Sequence, residues 1–257
     1  MESRNILGSR VDGTSYRDAC DRIQSFAESS QSSYVIAANV HVVMTAYWDL
    51  LYRAIVNQAM LVTPDGMPLV WGLRWLGIKG QTRVYGPDLM LAWCGRATQY
   101  QIPIYLYGGS QVTLDKLVAE LLQRFPGLPI VGTYSPPFRD LSPAEESADI
   151  DSIHQSGARI VFVGLGCPKQ ELWMSRQQGK LKAVMIGVGA AFAFHSGETS
   201  QAPRWMMRLG CEWLYRFSQE PKRLWQRYLI NNPAFLVLFA GQLLQTFLRR
   251  FQTASKK

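Results

Sequence analysis

The stretch Arg159-Ile-Val-Phe-Val-Gly164-Leu-Gly166-Cys-Pro-Lys169-Gln170-Glu171 decides the fold class. Its first half is a short apolar run, which is typical of a strand buried on both faces of a parallel sheet. Glycines end the run, and the residues from Gln170 to Gln178 predict a helix. The same apolar pattern recurs at Ala183-Val-Met-Ile-Gly-Val-Gly189. Alternating strands and helices predict an α/β fold, with a Rossmann-like parallel sheet flanked by helices.

Three further strands are predicted upstream, at Tyr34-Val-Ile-Ala-Ala-Asn39, Met60-Leu-Val-Thr-Pro-Asp65-Gly66 and Ile102-Pro-Ile-Tyr-Leu-Tyr-Gly108-Gly109. Each is a short apolar run that stops at a polar residue or a glycine. Ligands of parallel sheets gather where the strands end. The sequence therefore predicts a cleft that is lined by Asn39, Asp65, Gly108 and Gly164.

The positive charge of the chain lies almost entirely in its last quarter. The chain has 257 residues, 47% of them apolar, and a formal net charge of +8. Residues 1–202 contain 17 basic and 17 acidic residues, whereas residues 203–257 contain 10 basic and 2 acidic ones. This asymmetry predicts an α/β catalytic core over 1–202 and a basic appendage over 203–257 that seeks phosphate groups.

The appendage has the pattern of amphipathic helices. From Pro203 onward, one face carries the apolar residues Trp205, Met206, Leu209, Trp213, Leu214 and Phe217, and another carries arginines. A last helix is apolar from Ala234 to Leu248, which is shorter than the roughly 20 residues of a membrane span. The first 30 residues lack the pattern of a signal peptide. We therefore expect a cytoplasmic protein whose residues 203–257 bind the inner face of the plasma membrane, and not a nucleic acid.

Two features of the cleft suggest chemistry. Asp65 at a strand tip could remove a proton from a sugar hydroxyl, or it could serve only its own turn as an Asx residue. The loop from Gly164 to Gly166 opens a helix whose first amides could bind a diphosphate, or it could be a tight turn needed for packing.

Other nucleotide-binding and metal-binding patterns are missing from the sequence. The loop lacks the third glycine of the dinucleotide fingerprint, because Lys169 occupies that position, and no P-loop motif occurs. Asp149-Ile-Asp151 lies in a predicted helix, where side chains two residues apart diverge. The cysteines and histidines form no ligand cluster. We therefore predict no metal and no cofactor.

Several motifs in this order resemble the WecG/TagA/CpsF family of glycosyltransferases. The resemblance covers roughly residues 5 to 230. The motifs are Ala38-Asn-Val-His41, Thr63-Pro-Asp-Gly-Met-Pro68, Arg83-Val-Tyr-Gly-Pro-Asp88, Tyr107-Gly-Gly109, Val163-Gly-Leu-Gly-Cys-Pro-Lys-Gln-Glu171, Glu212-Trp-Leu-Tyr-Arg-Phe217 and Glu220-Pro-Lys-Arg-Leu224.

The resemblance implies an inverting, metal-independent transferase that uses a UDP-sugar donor and a polyprenyl-diphosphate-linked acceptor in surface polysaccharide or cell-wall synthesis. It implies Asp65 as the general base, with Asn39 and Arg83 as further catalytic residues and Gln170 as a substrate contact. The appendage would close over the site, with Arg216 and Arg223 on phosphate. The remaining predicted binding residues are His41, Gly108, Gly109, Gly164, Gly166, Lys169, Glu171 and Arg227.

Two positions depart from the family pattern. Ala37 stands where many members have threonine, so a hydroxyl contact to substrate is missing. Gln226 stands where many have arginine, so Arg227 takes over the diphosphate contact in our interpretation. The donated sugar stays open among N-acetylmannosamine, its uronic acid and glucose, and so does assembly into a homo-oligomer. The residues alone also leave two other functions open, a nucleotide-dependent oxidoreductase and a non-catalytic membrane or nucleic-acid scaffold.

Overall fold

The computed structural model describes residues 2–254, with side chains described through residue 248. Its centre is a six-stranded parallel sheet in the order β4-β3-β8-β7-β5-β6, which confirms the predicted fold class. The strands are β3 Ser33–Ala38, β4 Leu61–Pro64, β5 Ile104–Gly108, β6 Ile130–Tyr134, β7 Ile160–Gly164 and β8 Val184–Gly187. The central strands are buried on both faces, as their uninterrupted apolar runs require.

Helices cover both faces of the sheet. They are α1 Tyr16–Glu28, α2 Val40–Trp48, α3 Leu50–Gln58, α4 Met67–Trp75, α5 Gly86–Tyr100, α6 Gln111–Arg124, α7 Pro143–Gln155, α8 Lys169–Gln177 and α9 Ala191–His195. Alternate strand residues point to opposite faces and divide the core into two clusters. Ile36 and Val161 pack with α2, α3 and α8 on one face, whereas Val35 and Phe162 pack with α1, α5 and α6 on the other.

An antiparallel hairpin precedes this layered core and was not predicted. It pairs β1 Ser3–Ile6 with β2 Ser9–Asp12. The buried carboxylate of Asp12 accepts a hydrogen bond from the amide of Val62 at 2.8 Å. The hairpin therefore attaches to the outer strand of the sheet. The mixed polar sequence of the hairpin shows no strand pattern, and its packing on β4 joins residues about 50 positions apart in the chain.

The C-terminal segment folds against the core as a series of helices. These are α10 Arg204–Arg208, α11 Glu212–Gln219, α12 Pro221–Trp225, a π-helical turn Gln226–Ile230 and α13 Asn231–Ala254. The apolar pattern from Trp205 to Phe217 is divided between two helices, because Gly210 adopts a left-handed conformation, φ +72°, and separates α10 from α11.

Side chains of α13 enter the main core. Phe235 and Phe239 are 2% and 3% exposed, and Phe239 lies against Gly72 of α4. Gln242 donates to the carbonyl of Asn5 and accepts from the amide of Leu7 in the hairpin. Within residues 2–254, no helix combines the length and the hydrophobicity that crossing a membrane requires.

Candidate active site

Asp65 lies at the carboxyl edge of the sheet, directly after β4. Its amide donates to the carbonyl of Ala38 at 2.8 Å, which joins the ends of β3 and β4. Its carboxylate Oδ1 accepts a hydrogen bond from the amide of Gly86 at 2.7 Å, at the start of α5. Gly86 also packs closely, since a Cβ there would lie 3.2 Å from the Cβ of Ala37, a tighter distance than an ordinary contact. The carboxylate is thus fixed by the backbone of three elements.

The surroundings of Asp65 make it a stronger base than an ordinary aspartate. Its pKa is raised to about 6, chiefly by burial and also by the carboxylate of Glu212. The opposing influences are the guanidinium of Arg83 and hydrogen bonds from Gly86 and Asn39. Asp65 is therefore ionised at neutral pH, and it holds a proton more tightly than an exposed carboxylate would.

Arg83 and Tyr85 connect this aspartate to the appendage. Arg83 donates through Nε to the main-chain carbonyl of Asp65 and through Nη2 to Glu212 Oε2 at 2.6 Å. The hydroxyl of Tyr85 donates to the other Glu212 oxygen at 2.9 Å. The Arg83 guanidinium also lies 4.0 Å from the centre of the Tyr85 ring. The three side chains form one unit that spans the core and α11.

Asn39 caps the first turn of α2 beside Asp65. Its Oδ1 accepts from the amides of His41 and Val42 at 3.0 and 3.3 Å. A Cβ on Gly66 would lie 3.3 Å from the Cα of Asn39, so glycine lets the two strand ends approach each other. The side-chain oxygen of Asn39 is thereby occupied by the helix, and only its amide nitrogen is left to face Asp65.

His41 stands behind Asn39 in a partly buried position. Its Nδ1 lies 3.2 Å from the side-chain nitrogen of Asn231 at the start of α13. The pKa of His41 is lowered to about 4, chiefly by burial and also by the charge of Arg227. The imidazole is therefore neutral in the physiological range and is suited to hydrogen bonding with a ligand.

Gln170 connects two loops at the carboxyl edge. Its Oε1 accepts from the amide of Gly166 at 3.2 Å and from that of Gly189 at 3.1 Å. Its Nε2 donates to Glu171 at 2.8 Å. Gln170 therefore makes three hydrogen bonds within the protein, and Glu171 is 0% exposed. Both residues stabilise the loop from Gly164 to Gly166 internally.

The glycines at the ends of β5 and β7 allow close packing. A Cβ on Gly108 would lie 2.8 Å from the carbonyl carbon of Gly164, and one on Gly164 would lie 2.6 Å from the ring of Phe192. A Cβ on Gly109 would lie 3.6 Å from the same ring, an ordinary contact distance. Gly166, by contrast, has φ +78° and open space beside it. Of these four glycines, only Gly166 has open space where a Cβ would stand.

The appendage brings two arginines to the cleft. Arg216 lies over the ring of Phe194, 5.5 Å from its centre. Arg227 interacts electrostatically with Cys167, Asp65 and Arg216, and its Nε is buried without an acceptor among the described residues. Burial lowers the pKa of Arg227, and the charge of Arg216 lowers it further. A pair of confined cations with a free donor is suited to an anion such as a diphosphate.

Two predicted binding residues lie outside this arrangement. Arg223 pairs with Glu220 on the surface, and its side chain is 64% exposed. Lys169 is exposed at the first turn of α8. The structure therefore brings Asn39, His41, Asp65, Arg83, Arg216 and Arg227 together, but it leaves Arg223 and Lys169 facing solvent.

Three further residues contact the site and were not predicted from the sequence: Tyr85, Glu212 and Asn231. Glu212 and Tyr85 belong to motifs of the family resemblance, which was the only available signal for them.

Within residues 2–254, no group of three or more His, Cys, Asp or Glu side chains is arranged to hold a metal ion. Asp149 instead accepts a hydrogen bond from Tyr107 at 2.7 Å, and Asp151 is exposed.

Burial of Glu171 predicts a pH-dependent loss of stability. Burial raises its pKa in the folded protein, so its contribution to stability is complete below the pKa of the unfolded chain and is lost as pH rises. Each unit of difference between the pKa values of the folded and unfolded states changes the free energy of unfolding by about 1.4 kcal/mol. We expect Glu171→Gln to unfold at a higher urea concentration than the unmodified protein at pH 8, with a smaller difference at pH 5. The exposed Glu120→Gln is the control, and equal midpoints for all three proteins at pH 8 would contradict the prediction.

Comparisons with known proteins show the family of this chain. The family model described as "Glycosyl transferase WecG/TagA/CpsF family" matches residues 4–249. An N-acetylglucosaminyldiphosphoundecaprenol N-acetyl-beta-D-mannosaminyltransferase of Bacillus spizizenii is 27% identical over 80% of this chain and 78% of the relative. The protein of the same name from Bacillus subtilis strain 168 is 28% identical over 91% of this chain and 89% of the relative. The chain therefore belongs to the WecG/TagA/CpsF family of glycosyltransferases.

Proposed function

We propose that the protein transfers N-acetylmannosamine from a UDP-sugar to N-acetylglucosamine carried on a polyprenyl diphosphate, in the synthesis of a cell-wall or surface polymer. The names of the two Bacillus relatives support this acceptor and this sugar. The uronic acid of N-acetylmannosamine and glucose are the alternative donor sugars. The observation that carries the proposal is the buried carboxylate of Asp65, ionised at neutral pH and within electrostatic reach of Arg83 and Arg227.

The reaction requires one proton transfer and one exchange of bonds. The acceptor hydroxyl attacks the anomeric carbon, the bond from that carbon to the UDP oxygen breaks, and the hydroxyl proton passes to Asp65. Attack opposite to the leaving group inverts the anomeric centre. UDP departs with the bonding electrons, so negative charge grows on its diphosphate. Donors that are already fixed around that charge lower the barrier.

Arg216 and Arg227 are the residues that we assign to the diphosphate. They lie on the appendage, one on α11 and one on the π-helical turn. At the start of α8, the amides of Gly166 and Gln170 are already bonded within the protein, so the arginines carry most of this role. These groups supply the charge that a metal would otherwise provide, so we propose that the reaction is independent of metal ions and needs no cofactor.

The direct test is a transfer assay with a short polyprenyl-diphosphate N-acetylglucosamine analogue and a panel of UDP-sugars, in the presence of EDTA. Transfer of N-acetylmannosamine alone is the expected result. Preferential transfer of glucose or of the uronic acid would replace the donor in the proposal. Activity that requires added magnesium or manganese would contradict metal independence. Transfer of no sugar would exclude this acceptor.

The outer face of α13 supports a peripheral position on the inner face of the plasma membrane. Its apolar side chains remain exposed at helical spacing, among them Leu236 at 65%, Leu244 at 59% and Phe247 at 57%. The sequence after Glu220 contains basic residues and no acidic residue. An apolar face with adjacent positive charge suits anionic lipid, where each basic residue near the surface contributes about 1 kcal/mol.

Substitutions on this face test membrane binding better than deletion of the appendage does. Deletion would remove Phe235 and Phe239 from the core and would unfold part of the protein. We expect Leu236→Glu combined with Leu244→Glu to weaken binding to vesicles of phosphatidylglycerol at least about tenfold, since inserting one leucine is worth roughly 1.5–3 kcal/mol. Leu122→Glu, on the exposed face of α6, is the control. Cosedimentation measures binding, and unchanged binding of the double variant would contradict a lipid contact through α13.

A further inference from the structure

We propose that Glu212 is a positioning residue for the transfer reaction: its carboxylate, carried on the appendage, fixes Arg83 and Tyr85 against the turn that holds Asp65. The proposal rests on the function proposed above, because it assigns Asp65 as the base. Its consequence is that the base acquires its working environment only when α11 is docked on the core.

The contacts of Glu212 support this role. Both carboxylate oxygens are used, one by Arg83 at 2.6 Å and the other by Tyr85 at 2.9 Å. The side chains of Glu212 and Arg83 are only 13% and 16% exposed. A salt bridge shielded in this way is much less screened by salt than a surface pair. Loss of one partner would leave the other charge half-buried without compensation.

The chain of contacts ends at the reacting group. Arg83 donates a hydrogen bond to the main-chain carbonyl of Asp65. The carboxylate of Asp65 accepts a hydrogen bond from the amide of Gly86, the residue that follows Tyr85. Glu212 thus reaches both segments that define the position of the Asp65 carboxylate. Displacement of a catalytic group by about 1 Å costs up to about 10²-fold in rate.

Glu212 also acts on Asp65 through its charge. The groups that face Asp65 are Arg83 and Tyr85 before α5, Asn39 at α2, Tyr16 of α1, Arg227 of the π-helical turn, and Glu212. Arg83 lowers the pKa of Asp65, whereas Glu212 raises it. Removal of the negative charge of Glu212 leaves Arg83 uncompensated, so the pKa of Asp65 falls and Asp65 becomes a weaker base.

The test compares Glu212→Gln, which keeps the shape and removes the charge, with Glu212→Asp and the unmodified protein. For Glu212→Gln we expect kcat to fall about 10- to 100-fold, with little change in the donor KM, and the acidic limb of the pH–rate profile to move to lower pH. Glu212→Asp should restore the position of the limb, because it restores the charge. Glu146→Gln is the matched control. Glu146 is a half-buried glutamate of α7 that pairs with Arg176 of α8, outside the site.

A double-mutant cycle with Arg83→Ala completes the test. If Glu212 acts through Arg83, the double variant will be scarcely slower than Arg83→Ala alone. Fully additive losses, or a Glu212→Gln enzyme with the kcat and the pH profile of the unmodified protein, would overturn the proposal. The proposed function has a separate test, because its failure would appear as an Asp65→Asn variant that stays active, whatever the Glu212 variants do.

Discussion

Asp65→Asn is expected to lower kcat about 10³-fold at neutral pH, within the roughly 10²- to 10⁴-fold range that general bases contribute. The amide cannot take up the hydroxyl proton, but its oxygen can still accept the hydrogen bond from Gly86, so the fold is expected to survive. The measurement is single-turnover transfer at saturating donor, together with thermal unfolding of both proteins.

The pH dependence gives the same prediction a second readout. Burial raises the pKa of Asp65 to about 6, so the rate of the unmodified enzyme should fall as pH drops below about 6, where the base becomes protonated. The residual rate of Asp65→Asn should not show this fall below pH 6. Asp151→Asn, an exposed aspartate on α7, is the control. An Asp65→Asn enzyme within tenfold of the unmodified rate would remove Asp65 from the chemistry.

Arg227→Ala is expected to slow transfer about 10²- to 10³-fold, the usual cost of losing one fixed donor to a developing negative charge. The buried Nε of Arg227 has no acceptor in the described part of the chain, so its removal breaks no internal hydrogen bond at that atom. The variant should therefore unfold at about the temperature of the unmodified protein while its activity is lost.

The kinetics of Arg227→Ala also identify which diphosphate Arg227 contacts. Weaker product inhibition by UDP would assign it to the donor, whereas a raised KM for the acceptor alone would assign it to the polyprenyl diphosphate. Arg208→Ala, an exposed arginine of α10, is the control for the general loss of positive charge. Equal activity of the two variants would contradict a contact between Arg227 and either diphosphate.

The sequence alone predicted the layered α/β fold and the position of Asp65. Both follow from local rules: an uninterrupted apolar run such as Ile160–Gly164, ended by glycine, is typical of a strand in a sheet that is covered on both faces. A residue that follows such a strand must then lie at the carboxyl edge. This reasoning needs no knowledge of distant contacts, and the structure confirms the parallel sheet and places Asp65 directly after β4.

Only the tertiary structure decided what surrounds Asp65. Glu212 lies 129 positions after Arg83 in the chain, yet it forms a 2.6 Å ion pair with it. Gly108 and Gly164, which the sequence placed in the cleft as binding residues, pack against each other, and Gln170 turns its oxygen to the loop amides. Such pairings depend on how every helix packs over the sheet, so the sum of many distant contacts determines them and no local pattern contains them.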